Sequence, residues 1–221
     1  MVRRLNEWYA DKYDQRLDER TGVVLRAADE VVRSCWAEPF AALGRPAPSG
    51  PLAYLDPRFD AAATPRVSVP TDLRAPRDAL IGEFVRELPI PTIALPGTSR
   101  DEPWWLVLAA HETAHHVQHD LAPGLVARTR DCVADVAGRP PVGDAETGAC
   151  WGGWAQEVFA DACAVLTVGP VAAWAVEELQ HAPPRRLVAL PAPGSRYPPP
   201  AVRTVPMARP RLPEVDAGTS W

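Results

Sequence analysis

The chain has little of several features that mark common classes of protein. Its 221 residues contain a single lysine, Lys12, and the formal net charge is −5. Binding to a phosphate backbone needs lysine and arginine clustered on one face, which this acidic chain gives no reason to expect. We therefore predict that nucleic acid is not a partner. The almost exclusive use of arginine for positive charge, with abundant alanine, valine and proline, is typical of a GC-rich bacterial genome.

Paired cysteines and long apolar runs are also missing. The four cysteines are scattered and form no C-x-x-C pair, so the sequence indicates neither a disulfide framework nor a thiolate zinc site. The longest uncharged stretch, residues 162–176, is shorter than the roughly 20 residues that a membrane span needs, and Gly169-Pro170 interrupts it. The N-terminus runs from two arginines straight into charged residues, unlike a secretory signal. We predict a cytoplasmic protein with reduced thiols and no membrane span.

A chain of 221 residues is long enough for one sizeable core, which predicts a single domain over residues 1–206. Apolar side chains recur at intervals of three and four over residues 1–40, which predicts an N-terminal helical segment, divided in two at Thr21-Gly22. Residues 44–76 are rich in proline and glycine, which predicts an irregular stretch with one or two short strands. The residues 207–221 lack apolar periodicity and are predicted to form a flexible tail.

The remaining elements are predicted from helical spacing, caps and prolines. Every residue that precedes a proline is biased towards extended geometry, which predicts an extended segment over residues 88–95 and confines it to a sheet edge. Side-chain caps and Pro103 open a helix that stops near Pro123-Gly124. The predicted helices cover residues 78–88, 102–121, 151–167 and 171–180, with a glycine- and proline-rich loop over residues 138–148.

The segment His111-Glu112-Thr113-Ala114-His115 matches the pattern H-E-x-x-H inside the predicted helix 102–121. Four residues advance an α-helix by about 400°, so both imidazoles project from nearly the same face and can bind one zinc ion. Glu112 lies one position further round, where its carboxylate can act as general base towards a metal-activated water. The pattern predicts a catalytic zinc site with His111 and His115 as ligands.

Two histidines leave a catalytic zinc site one protein ligand short. Glu157 and Asp161 lie four residues apart among apolar neighbours, so a helix would bury both on one face. Two buried acids are costly unless they are paired or bind metal. We predict that Glu157 is the third ligand and that Asp161 accepts a hydrogen bond from a histidine N–H. Trp154, three residues before Glu157, is predicted to line the substrate pocket.

H-E-x-x-H followed by E-x-x-x-D on a later helix resembles the gluzincin clan of zinc metallopeptidases, the group typified by thermolysin. A third segment, Ser195-Arg-Tyr-Pro-Pro-Pro-Ala-Val-Arg203, is similar to S-T-H-P-P-x-x-x-R in the family that contains the heat-shock protease HtpX and the CAAX-prenyl protease. The resemblance extends from Pro103 to Arg203. Tyrosine stands where that family has histidine, and a phenol can also donate a hydrogen bond. The membrane helices of those relatives have no counterpart in this chain.

The resemblance implies roles for further residues. In that family the histidine of the third segment contacts the substrate carbonyl, and the arginine supports the active-site acids. By position, Tyr197 is the expected oxyanion donor and Arg203 the expected supporting cation, with His181 as the alternative donor. The resemblance also implies that the extended segment 88–95, which contains Ile93, is the edge strand that binds substrate by β-addition.

Two more histidines follow the motif. A metzincin would have its third histidine six residues after His115, where this chain has Leu121, so the metzincin pattern is disfavoured. We expect His116 on the opposite side of the helix from the metal, and His119 at the helix surface or the rim of the site.

Together these patterns predict an α+β, mainly helical fold: a zincin-like (minigluzincin) domain with a small sheet whose edge strand lies beside the active-site helix. The predicted function is a zinc-dependent endopeptidase that acts on a polypeptide through metal-activated water, with Glu112 as general base. Two alternatives stay open. One is a zincin-fold binding or regulatory module with weak or no turnover in a larger bacterial assembly, and the other is a zinc hydrolase acting on a non-peptide bond. A protein partner that regulates activity is compatible with this prediction.

Overall fold

The computed structural model describes residues 2–58, 60–69, 73, 87–181, 183–189, 191–192 and 194–207. Within these ranges the α-helices are α1 (Val2–Tyr13), α2 (Glu19–Ala42), α3 (Leu108–Asp120), α4 (Leu125–Ala137), α5 (Ala145–Val168), α6 (Val171–Leu179), α7 (Pro184–Leu187) and α8 (Pro200–Met207). The described strands are β1 (Leu52–Asp56), β2 (Ala62–Thr64) and β3 (Thr92–Pro96), and 3₁₀ turns span Asp14–Leu17, Gly97–Arg100 and Pro103–Val107. The predicted α+β, mainly helical fold is confirmed.

The N-terminal helical segment is broken earlier than its sequence suggests. The prediction of a break at Thr21-Gly22 is wrong, because a 3₁₀ turn and Asp18 separate α1 from α2. The Asp18 carboxylate accepts a hydrogen bond from the Thr21 backbone N–H at 2.7 Å and caps α2. A Cβ at Gly22 would lie 2.5 Å from the carbonyl oxygen of Arg16. This glycine therefore makes room for the preceding turn, and does not end a helix.

The sheet has strand order β1-β3-β2, with β1 parallel and β2 antiparallel to the central strand β3. Ile93 of β3 is aligned with Ala53 of β1 and Ala63 of β2. The prediction that residues 88–95 form an edge strand is therefore wrong. The prolines that suggested an edge precede β3, apart from Pro96 at its end. Their missing backbone N–H groups therefore remove no hydrogen-bond donor from the middle of the strand.

The two edges of the sheet differ. The Gln15 amide donates to the carbonyl of Leu55 at 3.0 Å and accepts from the N–H of Leu55 at 2.8 Å. Arg16 donates to the carbonyl of Ala53 at 3.0 Å. These side chains cover the outer edge of β1, whereas β2 pairs only with β3 among the strands that the structure describes. Within the described part of the chain, the outer edge of β2 therefore has backbone groups with which a further strand can pair.

Buried alanines allow α3 and α5 to pack closely. Ala110 and Ala114 of α3 and Ala160 and Ala164 of α5 are buried, and Ala110 shares an apolar cluster with Ala164. Helix α3 also packs against α2, β2 and β3. Small side chains at the contact let the two helix axes come close together. Side chains next to these alanines on α3 and α5 can therefore contact each other.

Helix α4 and the start of α5 are not indicated by the sequence patterns, which predict a loop over residues 138–148. The Asp144 carboxylate accepts a hydrogen bond from the Thr147 backbone N–H at 2.9 Å and caps α5. A Cβ at Gly148 would lie 2.6 Å from the carbonyl oxygen of Ala134. Glycine in this segment therefore permits close contact between α4 and α5, and the loop prediction is wrong from the start of α5 onward.

Other predicted elements match the structure or fall outside its described part. The segment 44–76 contains the short strands β1 and β2, and the predicted helix 102–121 is a 3₁₀ turn followed by α3. The predicted helix 78–88 lies almost wholly outside the described residues, as do all but the first residue of the predicted tail. None of the helices described is both long enough and apolar enough to span a membrane.

Arg66, which follows β2, forms an ion pair with Asp120 at the end of α3. Its guanidinium donates to the Asp120 carboxylate at 3.0 Å and also to the backbone carbonyls of Pro89 and Ser49. Both charged side chains are largely buried. One residue thus ties three separate segments together beside the sheet.

We expect Arg66→Ala to lower the free energy of unfolding by about 2 kcal/mol, because it leaves a largely buried Asp120 carboxylate without its charged donor. Urea denaturation measures the change. Arg33→Ala is the matched control, because the ion pair of Arg33 with Glu30 is exposed and its loss should leave stability nearly unchanged. Equal changes in the free energy of unfolding for the two substitutions would contradict a stabilising role of the buried Arg66 contacts.

Candidate metal centre

Helices α3 and α5 bring three potential ligand atoms together. His111 and His115 project from α3, with their Nε2 atoms 3.2 Å apart. Glu157 projects from α5, with Oε2 at 3.5 Å from His111 Nε2 and Oε1 at 3.6 Å from His115 Nε2. His111 and Glu157 are buried and His115 is half-buried. The structure thus unites the three residues that the sequence analysis selected as ligands.

One potential ligand atom from each of the three residues lies within 4.8 Å of the other two. A tetrahedral zinc ion with bonds of about 2.0–2.1 Å holds its ligand atoms about 3.4 Å apart. The two imidazole nitrogens, 3.2 Å apart, are close to that spacing, and each of them faces a different oxygen of the Glu157 carboxylate. Two imidazoles and one carboxylate are a donor set of catalytic zinc sites, in which a fourth position stays open. This buried group could therefore hold a metal ion.

A buried cation from α8 supports the acids of α5. Arg203 donates from Nε and Nη2 to the two oxygens of Asp161, both at 2.8 Å, and its Nη2 lies 3.0 Å from Glu157 Oε2. Asp161 Oδ1 in turn lies 2.9 Å from His111 Nδ1. The arrangement places Asp161 and Arg203 where they can fix the orientation of two of the three candidate ligands.

The two imidazoles of the motif have different electrostatic surroundings. Burial lowers the pKa of His111, but the carboxylates of Asp161 and Glu157 outweigh burial and raise that pKa to about 9. Burial lowers the pKa of His115 to about 4, and the positive charge of His111 acts in the same direction. Without metal, His111 therefore carries the proton and His115 is neutral at pH 7.

Glu112 is buried beside the ligand group and lines the same cleft. Burial raises the pKa of its carboxyl to about 7; the positive charge of His111 opposes this shift and the negative charge of Glu157 adds to it. Glu112 is not one of the three residues whose ligand atoms converge. Its carboxylate is therefore free to exchange protons with a molecule in the cleft.

The ligand group lies in a cleft with a volume of about 980 Å³. Residues 60–65, which include β2, form the wall on the sheet side. The lining also includes residues of α3, α5, α6 and α8 and of the segments that follow α6 and precede α8. Apart from Glu157, the polar lining residues from α5 onward are Gln156, Gln180, Arg196, Tyr197 and Arg203. A molecule in the cleft would therefore meet residues of β2 as well as the candidate metal centre.

Tyr197 and His181, the two alternatives for oxyanion donor, lie in different places. Tyr197 lines the cleft and is 59% exposed. Burial raises the pKa of its phenol, and the negative charges of Glu157 and Glu112 raise it further, so the phenol lies within electrostatic reach of the candidate centre. His181 is exposed and is not among the residues that line the cleft. The geometry therefore favours Tyr197.

The structure contradicts two predicted substrate contacts. Ile93 has an exposed fraction of 0% in the central strand, and its neighbours on both sides are strands, so it faces no substrate. Trp154 is half-buried and does not belong to the cleft lining; its ring packs edge-to-face on Trp151 at 5.7 Å. Three residues turn an α-helix by about 300°, which leaves Trp154 about 60° away from the direction of Glu157.

The other two histidines of α3 are not part of the ligand group. His116 is fully buried, and its Nε2 lies 3.2 Å from the carbonyl oxygen of Thr92, so it joins α3 to β3. Burial lowers the pKa of His116 to about 3, which keeps the imidazole neutral. His119 is half-buried and lines the cleft beyond His115.

Sequence patterns missed most of the cleft wall. The edge strand β2 consists of Ala62, Ala63 and Thr64, which are too few and too small to give a strand signal. Asp60, which also lines the cleft, belongs to no motif, and Arg196 stands in the third segment at a position to which the resemblance gave no role. No protein-family model, curated protein or solved structure matches this chain. The resemblance to gluzincins therefore rests on the motif residues alone.

Proposed function

We propose that the protein is a zinc-dependent endopeptidase of the gluzincin type. The observation that carries the proposal is the convergence of His111, His115 and Glu157, which each place one potential ligand atom within 4.8 Å of the other two. A zinc ion bound there would polarise a carbonyl oxygen and activate water at neutral pH. The burial of Glu112 in the same cleft supplies the proton acceptor that such a reaction needs.

Each polar residue of the centre has a role in this proposal. Glu112 takes a proton from the attacking water and passes it to the leaving amine. The Tyr197 hydroxyl donates a hydrogen bond to the oxygen on which negative charge develops. Asp161 and Arg203 hold His111 and Glu157 in the orientation that the ligand group requires.

The open edge of β2 supports a peptide as substrate. Backbone groups on the outer edge of β2 are free of partners among the described strands, and β2 lines the cleft. An extended peptide can pair with such an edge through its own backbone N–H and C=O groups. The small side chains of Ala62 and Ala63 allow close approach. We therefore assign to β2 the role that the sequence analysis gave to the segment around Ile93.

We also propose that the enzyme works in the cytoplasm. Its four cysteines, Cys35, Cys132, Cys150 and Cys163, are all unpaired in the structure. Free thiols persist in reducing compartments, whereas disulfides are usual in oxidising ones. The thiol state therefore supports a reducing environment.

The test combines metal content with cleavage. The purified protein is expected to hold about one zinc ion per chain and to cleave members of a random peptide library. Cleavage should stop on chelation and return with added zinc. His115→Ala, purified in the same way, controls for contaminating proteases and should show neither zinc nor cleavage. A wild-type protein that holds zinc and cleaves no peptide would contradict the proposal and favour the binding module.

A further inference from the structure

Two charged side chains of the cleft take no part in the proposed chemistry. Asp60 lies just before β2, and Arg196 lies next to Tyr197 in the segment before α8; both line the cleft. Both side chains are exposed. Neither makes a hydrogen bond or ion pair with any residue in the part of the chain that the structure describes. Within the described residues, the cleft thus contains one carboxylate and one guanidinium that pair with no other side chain.

The remaining charged groups of the cleft have other functions. Glu157 and Arg203 contact each other at 3.0 Å, and Arg203 also binds Asp161. Glu112 is buried and is the proposed proton acceptor. A charged substrate group would therefore find only Asp60 and Arg196 without a partner, as far as the described lining extends.

The charge of Asp60 acts inside the cleft. Burial is the main cause of the raised pKa of Glu112 and of Tyr197, but the Asp60 carboxylate adds to the increase at both residues. Walls of low dielectric concentrate the field of such a charge within a cleft. Asp60 is therefore close enough to the candidate centre to act on a peptide that binds there.

We propose that the cleft selects peptides with charges of both signs, pairing a basic side chain with Asp60 and an acidic side chain with Arg196. The proposal rests on the peptidase function and specifies its substrate class. A peptide that extends the sheet beside β2 passes Asp60 just before that strand, and Arg196 lines the same cleft. Side chains alternate in direction along such a peptide, so two residues of opposite charge can point to different parts of the lining.

The first test measures kcat/KM. One cleaved peptide is varied by placing lysine, glutamate or glutamine at each position that flanks the cleaved bond. The wild-type protein should prefer lysine at one position and glutamate at another, each by about three- to tenfold over glutamine. Asp60→Asn should remove the preference for lysine alone, and Arg196→Gln the preference for glutamate alone. Both preferences should shrink in high salt, because exposed charges are screened.

A matched control separates local pairing from net charge. Asp131 is exposed on α4, outside the cleft, and Asp131→Asn changes the net charge as Asp60→Asn does. We expect Asp131→Asn to keep the preference for lysine. If both variants lose it to the same extent, or if the wild type cleaves with no charge preference, the selectivity proposal is overturned while the peptidase function stands.

A binding measurement covers the case in which nothing is cleaved. Fluorescence anisotropy records the affinity of the same peptides for zinc-loaded Glu112→Gln protein. The proposal predicts tighter binding of peptides that carry both a basic and an acidic side chain, and loss of this preference in Asp60→Asn and Arg196→Gln. That result supports the selectivity even if the wild-type protein proves to be no peptidase. Absence of both cleavage and charge-dependent binding overturns the selectivity together with the function.

Discussion

Glu112→Gln is expected to lower kcat for peptide cleavage by about 10²- to 10⁴-fold while the zinc content stays unchanged. Glutamine has nearly the size and shape of glutamate, but its amide cannot accept a proton from water. Zinc should remain because Glu112 is not among the three residues whose ligand atoms converge. Steady-state kinetics and elemental analysis on the same preparation measure the two effects.

Glu146→Gln provides the matched control for this substitution. Glu146 is exposed in the first turn of α5 and does not line the cleft. The same chemical change there should leave kcat as it is in the wild type. Full activity in Glu112→Gln would refute the general-base role. Loss of zinc together with activity would show that Glu112 is needed for zinc binding.

Arg203→Met should strongly destabilise the metal-free protein, by about 3–5 kcal/mol, because it removes one partner of a buried ion pair. Arg203 is 6% exposed and contacts both Asp161 and Glu157, so two buried carboxylates would lose this cation and keep only the protonated His111 beside them. With zinc bound, the loss should be smaller, because the metal supplies positive charge beside Glu157. Urea denaturation with chelator and with excess zinc measures both values.

Arg139→Met is the comparison for the loss of an arginine. Arg139 pairs with Asp135 on the exposed surface of α4, where an ion pair contributes little to stability. We expect no clear change from it, with or without zinc. Unchanged stability of Arg203→Met in chelator would refute the supporting role of Arg203, and an equal loss in both conditions would show that zinc does not compensate for it.

The candidate ligands could be selected from sequence because their arrangement is mostly a local property. His111 and His115 share a face on any helix, and so do Glu157 and Asp161. Only the approach of α3 to α5 is a long-range event, and the buried alanines between the two helices make it close. The expectation that Arg203 supports the acids came from the resemblance, and the structure places the guanidinium beside both.

The sheet could not be derived in the same way, because strand order depends on pairing between distant segments. Prolines suggested an edge position for the segment that contains β3, yet β3 is flanked by β1 and β2. The true edge beside the cleft, β2, has only three small residues. Asp60 and Arg196 are far apart in the sequence and line one cleft only because of the fold, so no sequence spacing relates them.

The unequal edges of the sheet also restrict how copies of this chain can associate. Gln15 and Arg16 occupy the backbone groups along β1, so a neighbouring molecule that extended the sheet would have to do so at β2. Residues of β2 also line the cleft. Association of two copies by sheet extension at β2 and pairing of a peptide with β2 would compete for the same backbone N–H and C=O groups, so each would suppress the other.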